Sequence, residues 1–296
     1  MINYLGMLGI SISEKILLKE NLFLIGLAVI WIIVAIIQDF RKREVENWWS
    51  FSLIAFVLAY RAFLSIENWN YLYFVWGLIG LAIGFILMNL FYYARIFAGG
   101  DAKLLMALST ILPFGMHWQT NLIILVLFLF LFILSGAVYG FIYSLFLVFL
   151  RFREFRVGFS KQFEKNKRLI YLVCSFGMLL LIITLILKFY LVTSLVLILL
   201  LFPFLLIYSL AIEEVNMKKL VSVKELTVGD WIVNPIKAKN KIIKPYWEGL
   251  SEEELKFIQK HYKKKVLVRY GIPFTPSFLI AFVLLVLYFD FFPYLF

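Results

Sequence analysis

The chain has 296 residues, of which 64% are hydrophobic and 16% charged, and its mean hydropathy is +0.94. A soluble domain of this length does not have such a composition, so the sequence predicts an all-α polytopic membrane protein. The net charge of +11 comes without a recognised nucleic-acid-binding motif, so we expect the basic residues to set the membrane topology and expect no nucleic acid partner.

Eight apolar segments are predicted to cross the membrane, because about 20 apolar residues cover roughly 30 Å of hydrocarbon. The fourth segment is short and the fifth is long. The predicted spans are residues 20–39, 49–65, 71–93, 102–115, 121–150, 169–188, 190–211 and 273–296. The first 15 residues lack a basic start followed by an apolar core, so we expect no cleavable signal peptide.

The first span ends in an aspartate, Asp39, which is followed by Arg41, Lys42 and Arg43. Taken alone, Asp39 could be an interfacial charge paired with these basic residues. An aspartate near the negative end of a helix dipole is unfavourable, but the penalty shrinks if the helix continues through Arg43, as the absence of Gly and Pro allows. An ionisable residue in an apolar span is costly, so Asp39 is a candidate functional residue.

A second aspartate, Asp101, opens the fourth span within the sequence GGDAK. Taken alone, Asp101 could be an ordinary N-cap. Gly99 and Gly100 offer more than a cap needs, because glycine permits unusual backbone angles and lets another chain approach closely. An extended substrate backbone beside a carboxylate would need that room. We expect Lys103 to extend its ammonium group to the lipid headgroups.

Two spans separate Asp39 from Asp101, so the two carboxyl groups are predicted to lie at the same membrane face. With the N-terminus outside, 25 of the 29 Lys and Arg residues fall on the inner side, and the ratio is still 12 to 4 without the long 211–270 segment. The positive-inside rule therefore places both aspartates near the cytoplasmic face of the cell membrane. Asp290 falls on the outer side and is expected to be interfacial.

Residues 151–168 are predicted to form a basic, aromatic loop, either against anionic lipid headgroups or as a solvated linker. Residues 212–270 predict a small α+β cytoplasmic domain, in which VSVKEL and DWIVNP form short strands around the Gly229–Asp230 turn. Ser251 and Glu254 predict a helix that begins with a capping box. The thirteen Lys and Arg residues of this domain exceed its eight Asp and Glu residues, so we expect it to dock on anionic membrane lipid.

The predicted organisation has four parts: a catalytic membrane domain with helices 1–5 (1–150), a basic loop with helices 6 and 7 (151–211), the small cytoplasmic domain (212–270) and a C-terminal transmembrane helix (271–296). His117 and His261 fall on opposite predicted sides, and the single cysteine, Cys174, lies inside a predicted helix. We therefore expect no metal site, no disulfide and no cofactor.

Taken together, the two aspartate motifs resemble those of archaeal prepilin and preflagellin peptidases, in the GxGD intramembrane aspartyl protease group. That family has a first aspartate followed by basic residues, a hydrophobic position and a polar–aromatic pair, and then a GxGDxK motif. Here the matching residues are Asp39, Arg41, Arg43, Val45, Asn47 and Trp48, and then Ala98, Gly99, Gly100, Asp101, Ala102 and Lys103. Ala98 replaces the first glycine, which weakens the motif match more than the chemistry. The resemblance covers about residues 20–115 and 265–285, and the second range includes the sequence GIPFTPSFLIAF.

The resemblance implies an aspartic-type endopeptidase with Asp39 and Asp101 as catalytic residues and with Gly99, Gly100 and Lys103 in an active-site loop. Such enzymes remove the short basic leader of pilin-like or archaellin-like precursors at the cytoplasmic membrane face. One carboxylate would activate water while the other, protonated, acts as general acid, and the sequence does not assign the two roles. Bacterial relatives also methylate the new N-terminus and carry a cysteine-rich domain that this chain lacks, so N-methyltransferase activity is not expected.

Two other interpretations stay open. A proton- or cation-coupled transporter could use the same aspartates, but it would need further polar residues in spans that are nearly pure Leu, Ile, Phe and Val. The third interpretation is a non-catalytic scaffold for a surface-filament machine.

Overall fold

The computed structural model describes residues 19–239 and 241–291, so the prediction about the first 15 residues lies outside the described part of the chain. Its helices are α1 (Lys19–Lys42), α2 (Asn47–Glu67), α3 (Leu72–Tyr93), α4 (Gly99–Ile111), α5 (Trp118–Leu150), α6 (Phe152–Ile186), α7 (Tyr190–Ile212), α8 (Glu252–His261) and α9 (Pro276–Phe291). Its strands are β1 (Lys218–Val221), β2 (Trp231–Ile232), β3 (Ile236–Ala238), β4 (Lys241–Ile243) and β5 (Val266–Arg269). The predicted all-α polytopic class is confirmed.

Six of the described helices, α1, α2, α3, α5, α6 and α7, are long and apolar enough to cross a membrane. The other two apolar helices are shorter. At about 1.5 Å per residue, the 13 residues of α4 span about 20 Å and the 16 described residues of α9 about 24 Å, both less than the roughly 30 Å of hydrocarbon. The described residues therefore support six full spans rather than the eight that we expected.

The chain divides into two compact units. The first contains the described residues up to Phe141 and those from Pro273 onwards, and the second contains Ile142–Ile272. In the first unit, α4 packs against α1, α2 and α3, and every residue from Ala102 to Ile111 except Lys103 is buried. A short helix buried on all its faces has no lipid-facing side, which explains why it needs no full membrane length.

Glycines allow α3 to lie close to α4. Gly77, Gly80 and Gly84 are the buried residues of α3, and their spacing puts them on one helix face. A Cβ added to Gly80 would fall on the carbonyl oxygen of Ser109, and one added to Gly84 would lie 2.7 Å from the Ser109 Cβ. Small residues at such a face let helix backbones approach without a hydrophobic driving force, as is typical inside membranes.

In the second unit, α6 packs along α7. The basic segment 151–168, which we expected to be a loop, is instead the first half of the 35-residue helix α6. Its Arg, Lys, Glu and Gln residues favour a helix and it contains no proline. Ion pairs one turn apart support the helix, with Arg151 Nη1 3.6 Å from Glu154 Oε2 and Lys167 Nζ 2.8 Å from Glu164 Oε2.

The small mixed domain follows α7. Strands β1 and β2 both pair antiparallel with β5, in the order β1–β5–β2, and β3 and β4 form a separate hairpin. The domain has its own core, in which Ile258 of α8 and Val268 of β5 are fully buried. The predicted capping box at the start of α8 is confirmed, because Glu254 N donates to Ser251 Oγ and Ser251 N donates to Glu254 Oε2, both at 3.2 Å.

The two predicted strands of this domain have different outcomes. DWIVNP contributes β2, and Gly229 occupies a turn before it with a φ of +89°, as predicted. VSVKEL is wrong as a strand, because Val223–Glu225 form a 3₁₀ turn. The Ser222 N–H donates to Glu225 Oε2 at 3.1 Å, and this local bond turns the chain where the alternation of apolar and polar residues indicated an extended one.

Candidate active site

Asp39 lies in the last turn of α1, and its side chain is 7% exposed. The helix continues past it to Lys42, as the absence of Gly and Pro allowed. Arg43 then ends the helix in the left-handed region, with a φ of +59°, and its N–H donates to the Asp39 carbonyl oxygen at 2.9 Å. The carboxyl of Asp39 is therefore held inside the first unit, close to a chain reversal.

The carboxyl of Asp39 is hydrogen-bonded to a residue that we did not identify from the sequence. Its Oδ2 accepts two bonds from Thr275, one from the backbone N at 3.2 Å and one from Oγ1 at 2.9 Å. Thr275 immediately precedes α9 and is fully buried. The sequence GIPFTPSFLIAF, which contains Thr275, was part of the family resemblance. No feature of it singled out the threonine as a partner of Asp39.

Asp101 lies in the first turn of α4 and is partly exposed. The helix begins at Gly99, after an extended Ala98 with φ −66° and ψ 159°. Gly99, Gly100 and Lys103, which we expected in a loop, are instead the first, second and fifth residues of α4. Asp101 is not the N-cap either, and its charge in the first turn suits the positive end of the helix dipole.

The two aspartates approach each other because α2 and α3 return the chain to the end where α1 finishes. Asp39 lies near enough for its charge to affect the Asp101 carboxyl. Two neighbouring carboxylates repel each other when both are ionised.

The two sequence motifs also touch through their backbones. Val45, in the connection between α1 and α2, is 2% exposed and lies against Gly100. A Cβ at Gly100 would lie 3.0 Å from the Val45 N and 3.2 Å from its carbonyl oxygen, whereas a Cβ at Gly99 would meet only a Tyr92 ring carbon at 3.7 Å. The backbone of Val45 therefore lies close to Gly100, where a larger residue would not fit without a shift.

We expect Gly100→Ala to destabilise the protein by about 1–3 kcal/mol, because the new methyl group must push the Val45 backbone away from α4. Gly99→Ala is the matched control, with an expected change of less than about 0.5 kcal/mol, since its methyl group makes only ordinary contacts. Thermal unfolding of the two variants in detergent measures the difference. Equal melting temperatures would show that the contact with Val45 does not hold the two motifs together.

A side-chain contact joins the same two motifs. Lys103 Nζ donates to Asn47 Oδ1 at 2.5 Å, so the lysine that we expected to reach the headgroups instead binds the first residue of α2. The preceding turn is closed by its own bonds: the Glu46 N–H donates to Gln38 Oε1 at 3.0 Å, and the Trp48 Nε1 donates to Glu46 Oε2 at 2.6 Å. These contacts fix the start of α2 beside the first turn of α4.

The opposite end of α4 is held by Arg61 of α2, another residue whose role we did not anticipate. Although it is a charged residue within an apolar span, Arg61 is 2% exposed. Its Nη2 donates to the carbonyl oxygens of Ile111 at 2.9 Å and Pro113 at 2.7 Å, and its Nη1 donates to that of Tyr73 at 3.2 Å. Both ends of α4, the helix that carries Asp101, are thus fixed by polar contacts. In the sequence, the lone arginine within an apolar span was the signal that could have marked Arg61 as a residue with a structural or functional role.

The described ranges, residues 19–239 and 241–291, contain no group of three or more His, Cys, Asp or Glu side chains arranged to hold a metal ion. The polar chemistry at the site is supplied by the two carboxyl groups together with Thr275, Asn47 and Lys103. The carboxyl groups can take up and release protons, and the other side chains donate or accept hydrogen bonds.

Comparison with known proteins agrees with the motifs. Residues 26–156, which include Asp39 and Asp101, match the type IV leader peptidase family. The preflagellin peptidase of Methanocaldococcus jannaschii is 32% identical over 91 residues, which are 31% of this chain and 38% of that protein. The preflagellin peptidase of Methanococcus maripaludis is 34% identical over 92 residues, which are 31% of this chain and 40% of that protein.

These relatives are matched over about two fifths of their own length, and the matched family region ends well before Thr275. No solved structure is similar enough to count as a match. Over residues 26–156, the chain is related in sequence to the type IV leader peptidases, with archaeal preflagellin peptidases among its relatives, and the resemblance inferred from its two aspartate motifs is confirmed.

Proposed function

We propose that this chain is an aspartic-type endopeptidase that removes the short basic leader from pilin-like or archaellin-like precursors. The observation that carries the proposal is that Asp39 and Asp101, two carboxyl groups from separate motifs, lie near each other inside a region related to leader peptidases. The contacts Gly100–Val45 and Lys103–Asn47 support it, because they hold the two motifs in one arrangement.

The proposed reaction uses one proton shared by the pair. The ionised carboxylate takes a proton from water as the water oxygen attacks the scissile carbonyl carbon, and the protonated carboxyl donates its proton to the carbonyl oxygen. The carbon–nitrogen bond then breaks, the departing amine takes a proton from the carboxyl that first acted as base, and one hydroxyl of the tetrahedral intermediate returns its proton to the other carboxylate as the product carbonyl forms. The pair returns to its starting state without a cofactor.

We further propose that cleavage takes place near the cytoplasmic face of the cell membrane, with the N-terminus outside. The distribution of Lys and Arg supports this orientation. Anionic membrane lipid is the proposed partner of the basic start of α6, where Arg153, Arg156 and Lys161 line one cleft. Charged residues of this sign next to an apolar helix are typical of segments that meet a negatively charged leaflet.

The proposal is tested with membranes that contain the chain and membranes of the same host that lack it. We expect the former to shorten an archaellin-like precursor and to transfer no labelled methyl group from S-adenosylmethionine to the product. Failure to cut several such precursors, together with a proton-coupled flux that Asp39→Asn abolishes, would favour the transporter. Failure of both assays would favour the scaffold.

A further inference from the structure

Thr275 makes a contact with Asp39 that lies outside the region matched by the leader peptidase family. The two residues are 236 positions apart, and the threonine directs both of its donors, the backbone N–H and the hydroxyl, to the same carboxylate oxygen. The contact therefore constrains the carboxyl rather than merely filling space beside it.

The turn before α9 explains why Thr275 is available for this contact. The Ser277 N–H donates to the Phe274 carbonyl oxygen and the Phe278 N–H to that of Thr275, both at 3.1 Å, while the Thr275 N–H donates to Asp39. A threonine just before a helix usually accepts a bond from a backbone N–H of the first turn. A hydroxyl can donate as well as accept, and that of Thr275 donates to Asp39 Oδ2.

The segment that carries Thr275 is fixed by aromatic packing. The Phe274 ring lies 5.6 Å from the Phe132 ring and 5.8 Å from the Phe97 ring, centre to centre. The Phe278 ring lies 4.2 Å from Phe132 on the other side of Thr275. Rings on both sides of the threonine leave its backbone little freedom, so its donors stay in place.

We propose that Thr275 is a positioning residue for the reaction assigned to this site: it holds Oδ2 of Asp39 and leaves Oδ1 as the oxygen that meets the reacting water. The proposal rests on the proposed function. A carboxyl free to rotate would offer its reactive oxygen in the productive direction only part of the time, and misplacement of a catalytic group by about 1 Å can cost about 100-fold in rate.

The test compares kcat and KM of purified protein with a pilin-like precursor in three variants. Thr275→Val removes the hydroxyl and keeps the shape, and we expect kcat to fall about 10- to 100-fold with KM unchanged, because one charge-assisted hydrogen bond is lost. Thr275→Ser keeps the hydroxyl and is expected to cut at nearly the parental rate. Thr110→Val makes the same change at a fully buried site whose hydroxyl bonds only the Met106 carbonyl oxygen, and it should leave kcat unchanged.

Parental kcat in Thr275→Val, or a Thr275→Ser variant as slow as Thr275→Val, would overturn the proposal. A second measurement does not depend on cleavage. Asp39→Leu has the branched shape of aspartate without acceptors, so the drop in melting temperature caused by Thr275→Val should nearly vanish in the Asp39→Leu background. Additive drops would overturn the Thr275 proposal whether or not precursor is cut, whereas a parent chain that cuts no precursor would overturn the proposed function itself.

Discussion

Replacement of Asp39 or Asp101 by asparagine is expected to reduce precursor cleavage by about 100- to 10,000-fold, the usual contribution of a general acid or base. Asparagine keeps the shape of the side chain and an oxygen that can accept from Thr275, so the fold and its contacts should persist. What is lost is the group that takes up or gives a proton. The double variant should be no slower than either single one, because residues that act as a unit have non-additive effects.

Asp290→Asn is the matched control for these variants. Asp290 lies near the C-terminal end of α9, away from the first turn of that helix where Thr275 meets Asp39, and the same substitution there should leave cleavage unchanged. Rates are measured on the same precursor at equal amounts of folded protein. If one of the two site variants cut at the parental rate, the pair would not be the catalytic unit.

Methionine in place of Arg61 is expected to destabilise the protein by about 3 kcal/mol or more. The carbonyl oxygens of Ile111 and Pro113 would lose this donor, and each buried unsatisfied group costs about 1–3 kcal/mol, whereas the Tyr73 carbonyl also lies in the first turn of α3 and accepts a helical bond there. The substitution also removes a buried charge and an Arg61 Nε that has no hydrogen-bond partner, and this change should stabilise the protein. We expect the orphaned acceptors of Ile111 and Pro113 to dominate, because they lie at and just beyond the C-terminal end of α4, which is the negative end of its dipole.

Arg61→Lys should have an intermediate stability, because one ammonium group replaces a planar guanidinium group that donates to three carbonyl oxygens. Arg41→Met is the control at an exposed position, with an expected change within about 0.5 kcal/mol. Thermal unfolding in detergent gives the order Arg41→Met, Arg61→Lys, Arg61→Met from most to least stable. A melting temperature for Arg61→Met equal to that of the parent would show that Arg61 does not anchor α4.

Much of the membrane unit could be predicted from the sequence. The apolar runs 20–39, 49–65 and 71–93 agree with α1, α2 and α3 to within about three residues, because a segment in lipid must form its hydrogen bonds internally as a helix. The same pattern predicted that Asp39 and Asp101 would approach each other. Two residues at the ends of apolar helices, with two spans between them, must lie at the same face of the membrane.

Contacts between distant segments could not be predicted in this way. Thr275 meets Asp39 only because α9 packs against α1, and no periodicity in either segment encodes that pairing. Gly100 was singled out correctly as a place of close approach, but the partner turned out to be Val45 of the same chain. The role of Arg61 could not be predicted either, because a hydropathy pattern does not show which carbonyl groups a short buried helix leaves unpaired.

For the basic segment 151–168, the sequence was misinterpreted at the level of local structure rather than of distant contacts. Its charges and aromatic residues were interpreted as signs of a membrane-surface loop, although composition of this kind is equally compatible with a helix. Local ion pairs and strong helix formers decided the outcome, and α6 runs through the segment without a break. Charge indicates where a segment lies more reliably than which backbone conformation it adopts.

The most direct test of the central claim is the mass of both fragments after purified protein acts on a precursor that has a basic leader and an apolar helix. We predict one cut, just before the apolar helix, with the leader and the mature chain adding up to the precursor plus one water. The same sample of Asp39→Asn or Asp101→Asn should contain intact precursor. Uncut precursor with the parent protein, or identical fragments with either variant, would contradict the claim that these two carboxyl groups form a peptidase site.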